Sequence, residues 1–370
     1  MDIVRSSAAD ATVLVVGLGD LGARVLDALA RRGTVGRLIG SSRDAARGAA
    51  LVGQARLVAA LAGGPAHVDH APLDLKDGAA AVALLARLDP DVIVVGAAEH
   101  TWWRGGPALP YGAWLPLQVP LVRRLMEARR DAGVHAPVVC LPYPDGVGPV
   151  LAPAGLAPEV GAGNVAEVAA KLAVRAGAGR GDVDVDVRLV LHHAAERVAF
   201  SAFSALGRDR GEPPWAAEVR VDGEMLPQAA VAEHLHAPYP LPSGRATHQL
   251  TAAAAVQVVE GLLSDAPARA HVPAPGGRPG GYPVHLSRGG IALALPAEMT
   301  EADAVAVNSA AAAWDGIEAI EPDGTVVLTE AAAAAVRELV GVDVARMAPP
   351  DLDALARELR AALDALRRRR

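Results

Sequence analysis

The chain has 370 residues, of which 52% are hydrophobic and 21% are charged, and its formal net charge at pH 7 is −7. The apolar fraction is sufficient for a packed core and excludes general disorder, while a sequence pI of about 5.9 argues against a general nucleic-acid binder. No apolar run is long enough to cross a membrane. Residues 1–11 lack the pattern of a signal peptide. The single cysteine, Cys140, cannot form an internal disulfide or a thiolate metal cluster. We therefore expect a cytoplasmic protein without a metal site.

The first part of the chain alternates between short apolar strands and amphipathic helices. This alternation is typical of βαβ units that build a parallel sheet. The predicted elements are strand Thr12–Val16, helix Leu21–Arg32, strand Val35–Ile39, helix Ala45–Leu61, strand Val68–Leu73, helix Ala79–Leu88 and strand Asp91–Val95.

A loop rich in Gly, Pro and Trp, from Trp102 to Trp114, precedes the remaining elements. These are helix Leu115–Ala132, strand Val138–Leu141, helix Gly163–Ala176, strand Val183–Leu191, helix Thr247–Leu263, the hairpin Tyr282–Ser287 with Ile291–Leu295, helix Thr300–Ile317, strand Thr325–Leu328 and helix Asp351–Arg370. The pattern changes near residue 150, so we predict a dinucleotide-binding domain over 1–150, a second domain over 151–345 and a C-terminal helix over 346–370.

A G-x-G-x-x-G motif follows the first predicted strand and opens the first helix. Gly17 allows a tight turn, Gly19 lets the backbone approach a pyrophosphate, and Gly22 lets the helix pack on the strand. The amide groups of a helix N-terminus suit phosphate, so Asp20 and Leu21 join the cofactor-binding candidates. Ala97 and Ala98, which follow the strand ending at Val95, join them as well. An ordinary glycine-rich turn is the alternative.

The end of the second strand indicates which nucleotide binds. A carboxylate that would hold the ribose hydroxyls is expected about 20 residues after the glycines, but the chain has Ser41, Ser42 and Arg43 there. A guanidinium and two hydroxyls suit a 2′-phosphate. We therefore predict NADP as the cofactor, with NAD as the alternative.

From Pro137 to about Ile317 the order of features resembles that of the lactate/malate dehydrogenase superfamily. A strand ends in Pro142-Tyr143-Pro144-Asp145, a Gly161-Ala-Gly163-Asn164 turn opens a helix, and a strand ends in His192-His193. A crossing helix, a hairpin and a closing helix follow. The resemblance implies an α/β fold, in which a Rossmann doubly wound parallel sheet is followed by an α+β domain of lactate/malate dehydrogenase type. It also implies a homodimer or larger homo-oligomer.

The resemblance further implies a proton-transferring histidine beside the nicotinamide, a role that falls on His193. An unperturbed pKa near 6.5 suits proton transfer at neutral pH. His192 is a weaker candidate, because neighbouring residues of a strand point to opposite faces. A histidine pair that only holds backbone carbonyls is the alternative for both.

Several positions depart from the family pattern. The aspartate that orients the histidine and the arginine that clamps a substrate carboxylate align with Ala166 and Ala169. Glu167 and Lys171, spaced i,i+4 on one helix face, are the candidates to replace them, an exposed ion pair being the alternative.

The family's strand-end asparagine is replaced by Tyr143, another candidate catalytic residue. The loop retains Arg104 but is dominated by Trp102, Trp103, Tyr111 and Trp114. Such a loop suits an apolar or planar substrate, and a subunit contact is its alternative.

The sequence thus predicts an NADP-preferring oxidoreductase that transfers a hydride to or from a carbonyl, hydroxyl or imine carbon of a small molecule, with neither nucleic acid nor membrane as a partner. One alternative is an opine or saccharopine-type dehydrogenase. The other is a dinucleotide-binding protein without redox chemistry, which the loss of the aligned Asp, Arg and Asn would favour.

Overall fold

The computed structural model describes residues 10–64, 67–101, 109–200, 211–242 and 244–368. Within these ranges, six parallel strands form one sheet in the order β3-β2-β1-β4-β5-β6. They are β1 Thr12–Val16, β2 Arg37–Ser42, β3 His67–Pro72, β4 Val92–Val95, β5 Val138–Cys140 and β6 Val160–Gly161. This is the strand order of a Rossmann fold, in which a crevice opens at the carboxyl ends of β1 and β4. The predicted fold class is confirmed.

The helices of this sheet largely follow the predicted pattern. They are α1 Asp20–Arg32, α2 Ala45–Leu61, α3 Gly78–Leu88, α4 Leu115–Asp131 and α5 Pro144–Leu151, the last of which was not predicted. In α1 the side chains of Val25, Leu26 and Leu29 are buried, and Gly33 ends the helix in the left-handed conformation. The second strand lies later than predicted, because β2 stays paired with β3 as far as Ser42.

A second, mainly antiparallel sheet follows, in the order β10-β11-β7-β8-β9 with β12 paired to β11. Its strands are β7 Val185–Leu191, β8 Trp215–Val221, β9 Glu224–Met225, β10 Ala268–Pro273, β11 Gly281–Ser287 and β12 Gly290–Leu293. Its helices are α6 Val165–Gly177, α7 His193–Ala199, α8 Gln228–His236, α9 His248–Leu263 and α10 Glu301–Ala311. The helix α9 packs against α1, and both contribute to one hydrophobic core.

The last part of the chain returns to the first sheet. It contains β13 Ile317–Ile320, β14 Val326–Leu328, α11 Glu330–Val340, β15 Arg346–Met347 and α12 Leu352–Arg368. Buried residues of these elements share a core with β4, α3 and α4, and Asp353 accepts hydrogen bonds from Arg123 and Arg124 of α4. The predicted boundaries at residues 150 and 345 stay predictions. No helix in the described ranges combines the length and the apolar character needed to cross a membrane.

The contact between β1 and α1 gives a test of the fold that uses two helical glycines. A Cβ on Gly22 would lie 2.2 Å from the carbonyl oxygen of Gly17, whereas a Cβ on Gly53 of α2 would meet no atom of the described chain within 4 Å. We expect Gly22→Ala to lower the free energy of unfolding by about 1–3 kcal/mol, the usual cost of overpacking. Gly53→Ala should raise it by about 0.4–1 kcal/mol, because alanine restricts the unfolded chain.

Urea unfolding followed by circular dichroism measures both free energies. A Gly22→Ala protein as stable as the parent would contradict the tight packing of the turn against α1.

Candidate active site

The glycine-rich turn at the end of β1 is shaped for a phosphate. Gly17 adopts φ +92°, and a Cβ there would lie 2.5 Å from the backbone nitrogen of Ala97. Gly19 precedes α1 and caps it without a side-chain hydrogen bond, and a Cβ on Gly19 would meet no described atom within 4 Å. The turn is therefore compact on its protein side and open on its cavity side. This cradle fits the pyrophosphate of a dinucleotide at the N-terminus of α1.

Asp20, the first residue of α1, is surrounded by basic groups. Its carboxylate accepts a hydrogen bond of 3.0 Å from Arg24 and lies 2.7 Å from Nδ1 of His248, and Arg245 is 3.8 Å away. Burial alone would raise the pKa of Asp20, but the hydrogen bonds with Arg24 and His248 outweigh burial and lower the pKa. The guanidinium groups of Arg24 and Arg245 offset the negative charge that Asp20 places beside a pyrophosphate.

Of the three residues proposed for the 2′-phosphate at the end of β2, two line the cavity and one does not. Ser42 and Arg43 line the cavity together with Arg47 and Asp44, and Asp44 caps α2 by accepting the N–H of Arg47 at 3.0 Å. Ser41 does not line the cavity: its side chain is fully buried, and its hydroxyl has no hydrogen-bond partner among the described residues. The prediction for Ser41 needs correction, because alternate residues of a strand face opposite sides of the sheet.

One cavity joins the nucleotide turn to the predicted catalytic histidine. Its volume is about 1380 Å³, and its lining includes Gly17, Gly19, Arg43 and His193. Asp20, Leu21, Ala97, Ala98, Tyr143 and Glu167 line it as well. His192 and Lys171 are not among its lining residues.

His193 forms an ion pair with Asp315, a residue that the sequence analysis did not single out. The Nδ1 atom of His193 lies 2.7 Å from Oδ2 of Asp315, and the hydroxyl of Tyr143 donates to the same oxygen at 3.0 Å. Asp315 ends a single turn of 3₁₀ helix, Ala312–Asp315, that follows α10. An element 122 residues after the histidine thus supplies the acid that holds its ring.

The ion pair determines the protonation of His193. Burial lowers the pKa of His193, but the negative charge of Asp315, its hydrogen bond, and the charges of Glu196 and Asp145 outweigh burial and raise the pKa to about 9. The same partner lowers the pKa of Asp315 against the effect of burial. His193 is therefore an imidazolium at neutral pH, with Nδ1 donating to Asp315 and Nε2 lying 3.9 Å from Glu196.

The side chain of His192 caps a helix and does not line the cavity. It is the N-cap of α7, and its Nδ1 accepts the N–H of Ala194 at 3.1 Å. Burial lowers its pKa, so the ring is neutral and able to accept this bond. A helix begins directly after β7, and for this reason the two histidines differ in role.

Glu167 lines the cavity but does not hold the histidine ring, which corrects the role predicted for it. It accepts a hydrogen bond of 2.7 Å from Thr251 and forms a carboxyl pair with Glu196 of α7. Burial, and then the charge of Glu196, raise the pKa of Glu167 well above its usual range. Burial also raises the pKa of Glu196, to about 6. Glu167 is therefore the protonated member of the pair and donates to the Glu196 carboxylate.

Lys171 cannot serve as a substrate ligand in this arrangement. Its ammonium donates to the carbonyl oxygens of Ala199, Leu235 and Ala237 at 2.6, 2.5 and 2.8 Å. These bonds use all three protons and tie α6 to the ends of α7 and α8. Burial lowers the pKa of Lys171 to about 8. The alternative of an exposed pair with Glu167 is also wrong, since Lys171 is only 3% exposed.

Aromatic side chains enclose the His193 ring. Tyr111 stacks on it with ring centres 3.9 Å apart and an interplanar angle of 30°, and Tyr143 meets it edge-on at 5.5 Å. Burial raises the pKa of both tyrosines, so their hydroxyls stay protonated. Trp114 also lines the cavity, whereas Trp102, Trp103 and Arg104 lie outside the described residues.

The sequence analysis missed Asp145 and Glu196 as well as Asp315. Asp145 accepts the backbone N–H of His193 at 3.0 Å and the amide of Asn164 at 2.8 Å, which fixes the starts of three helices relative to one another. The spacing in the sequence offered a clue for Glu196, because it stands three residues after His193 and the two lie on one helix, α7. The sequence also offered a clue for Asp145, which lies in the first turn of α5, shortly after the end of β5. None existed for Asp315, whose contact with His193 depends on the tertiary fold.

The protonation of His193 is measurable by NMR of histidine ring protons, with His193→Gln to assign the signal. We expect a titration near pH 9. In Asp315→Asn the pKa should fall below the usual value of about 6.5, since burial then acts with less opposition. A parent pKa at or below 6.5 would contradict the ion pair.

Comparisons with known proteins bear on the fold. No protein-family model matches the sequence, and no curated protein sequence matches it. Among solved structures, malate dehydrogenase from Plasmodium falciparum is similar with a TM-score of 0.57 at 12% identity, covering 82% of this chain and 96% of that one. Lactate dehydrogenase from Eimeria maxima, solved with NADH and oxamate, is similar with a TM-score of 0.56 at 11% identity, and the match covers 83% of this chain and 93% of that one. A lactate dehydrogenase from a Medee basin deep-sea metagenome is similar with a TM-score of 0.54 at 16% identity, and the match covers 82% of this chain and 96% of that one. The chain thus has the fold of the lactate and malate dehydrogenases.

Proposed function

We propose that this protein is an NAD(P)-dependent oxidoreductase that prefers NADP(H) and acts on a carbonyl, hydroxyl or imine carbon of a small molecule. The observation that carries the proposal is the placement of the His193–Asp315 ion pair in the same cavity as the glycine-rich turn. A proton donor and a nucleotide cradle in one cavity are what reversible hydride transfer needs.

A bound nicotinamide dinucleotide supplies or accepts the hydride. The turn from Gly17 to Gly22 would bind its pyrophosphate through backbone N–H groups and the positive end of α1. Ser42, Arg43 and Arg47 would bind a 2′-phosphate at the end of β2, where the nearby carboxylate of Asp44 is engaged in capping α2. These basic groups support the proposed preference for NADP over NAD.

The chain supplies the proton. In the reductive direction His193 donates from Nε2 to the oxygen or nitrogen of the substrate, while Asp315 keeps Nδ1 protonated and fixes the plane of the ring. In the oxidative direction the same atom accepts the proton. Tyr143 orients the Asp315 carboxylate, and Tyr111 covers one face of the imidazole and excludes water from it.

The non-redox alternative loses part of its support. It rested on the loss of the aligned Asp, Arg and Asn, of which the aspartate that orients the histidine aligns with Ala166. Asp315 occupies an equivalent chemical position at 2.7 Å from Nδ1, although it comes from a different element. The alternative with a secondary amine as product stays compatible with the cavity.

Nucleotide preference is testable with Arg43→Ala. A charge-assisted phosphate contact contributes about 1.5–3 kcal/mol, so the variant should bind NADP(H) roughly 10- to 150-fold more weakly while NAD(H) affinity changes little. Calorimetric titration measures both affinities. The control is Arg37→Ala, because Arg37 lies at the opposite end of β2 and pairs with Asp69 at 3.2 Å. Tighter binding of NAD(H) than of NADP(H) by the parent would contradict the preference.

Proton transfer is testable with His193→Gln. Gln can still donate to Asp315 but cannot deliver a proton, so NADPH consumption across a panel of carbonyl and imine compounds should fall by roughly 10²- to 10⁴-fold. Nucleotide binding should stay near that of the parent. His135→Gln, at an exposed position outside the cavity, is the control. In the parent, reduction should slow above about pH 9 as His193 loses its proton. Unchanged turnover in His193→Gln would assign the acid elsewhere.

A further inference from the structure

The substrate end of the cavity carries excess negative charge. Asp315 and Asp145 are both in contact with His193, through its ring and its backbone N–H. Glu196 lies 3.9 Å from Nε2 and shares a proton with Glu167. The charge of Asp315 offsets that of the imidazolium, and Asp145 is not among the residues that line the cavity. With the shared proton counted, Glu196 is left as the negative charge that faces the cavity beside His193, so this side of the ring attracts cations and repels anions.

Among the side chains whose positions the structure describes, no lysine or arginine pairs with these carboxyls. Asp315 forms its ion pair with His193 and has the neutral His192 ring 3.7 Å away, and Glu196 lies 3.9 Å from His193. Lys171, the nearby lysine, is engaged by three carbonyl groups outside the cavity lining. A substrate carboxylate therefore meets no guanidinium or ammonium clamp from the described chain at this end.

No lysine or arginine side chain in the described cavity lining forms an ion pair with these carboxyls. The basic lining residues are Arg43, Arg47, Lys76, Arg245, Arg360 and Arg367. The first two stand beside the end of β2, and Arg245 lies against Asp20 at the glycine-rich turn. Lys76 and Arg360 are both paired with Glu99, at 2.6 and 3.4 Å. Three of the six basic groups thus lie at the nucleotide end, and Glu99 partly offsets the charges of two others.

The aromatic lining agrees with this distribution of charge. Tyr111, Tyr143, Trp114 and Trp314 all line the cavity that contains the Glu167–Glu196 pair. Aromatic faces combined with carboxylates are a chemistry that recognises ammonium and iminium groups, through the negative face of each ring. The same rings would receive the apolar part of such a substrate.

From this combination of cavity, carboxyl pair and aromatic walls, we propose that the substrate carries a cationic nitrogen, as an amine or iminium, at or beside the reacting carbon. The inference rests on the proposed function and narrows its substrate class. In the reductive direction NADPH delivers a hydride to the iminium carbon, the C=N π electrons become the nitrogen lone pair, and NADP⁺ and a neutral amine result. The amine then takes a proton from His193 and leaves as an ammonium ion. Glu196 would bind the nitrogen in both states.

Binding of three matched probes tests the inference. The parent protein is saturated with whichever of NADP⁺ and NAD⁺ binds more tightly, and is titrated by calorimetry at pH 7.5 with benzylamine, benzyl alcohol and benzoate. These share a ring but carry positive, zero and negative charge. We expect benzylamine to bind at least 10-fold more tightly than either of the others.

Two variants identify the group responsible. We expect Glu196→Gln to reduce the preference for benzylamine over benzyl alcohol at least fivefold while nucleotide affinity stays unchanged. Glu167→Gln should have the same effect and serves as the second variant in case Glu196→Gln does not fold. Glu233→Gln, at an exposed position on α8, should leave the preference as in the parent. An undiminished preference in both cavity variants would overturn the assignment.

Failure of the inference is distinguishable from failure of the proposed function. Benzoate binding as tightly as benzylamine, or binding of none of the probes to the nucleotide complex, overturns the cationic substrate and leaves the oxidoreductase proposal intact. Failure of both nucleotides to bind the parent overturns the proposed function, and the inference with it.

Discussion

The arrangement of the candidate site depends on the contact between the His193 imidazolium and the Asp315 carboxylate. Both groups are largely removed from water, and an ionised carboxylate in such a place is costly unless it is paired and hydrogen-bonded. Asp315 meets this condition with two donors on one oxygen, from His193 and Tyr143. Removing one partner of such a pair typically costs about 3–5 kcal/mol. The relative positions of α5, α7 and the turn after α10 follow from keeping this pair together.

Local patterns allowed much of the first sheet to be predicted. The close contact of Gly22 with Gly17 involves residues within about one turn of the chain, and the alternation of strands and helices is a property of sequence neighbours. Ser41 shows the limit of such patterns. The second strand was predicted to end at Ile39 but continues to Ser42, so Ser41 lies inside the strand, where its side chain is buried. A shift of one residue exchanges a buried hydroxyl for one that lines the cavity.

The predicted roles of Glu167 and Lys171 were wrong for a related reason. An i,i+4 spacing shows that two side chains share a helix face but does not show what that face meets. Here α7 and α8 lie against it, and their carbonyl groups take the ammonium of Lys171. The helix α7 has seven residues, too few to give a clear apolar period, and without it Glu196 could not be placed near Glu167. Asp315 depends entirely on the packing of distant segments. The contact partners of His193 and His192 could not be predicted from the sequence either.

The position of Asp315 in the chain has a consequence for conformational dynamics. It stands two residues before β13, and the N–H of Thr329, the N-cap of α11, bonds to the carbonyl of Gly316 between them. Local unfolding of β13, β14 and α11 would therefore withdraw the carboxylate from His193, and it would also expose the core that these elements share with β4, α3 and α4. The imidazole would then be left buried without its main counter-charge and would release its proton. In this way the acid strength of one side chain is thermodynamically linked to the folding of the C-terminal sheet, and amide hydrogen exchange in that sheet and the ionisation of His193 would report the same opening equilibrium.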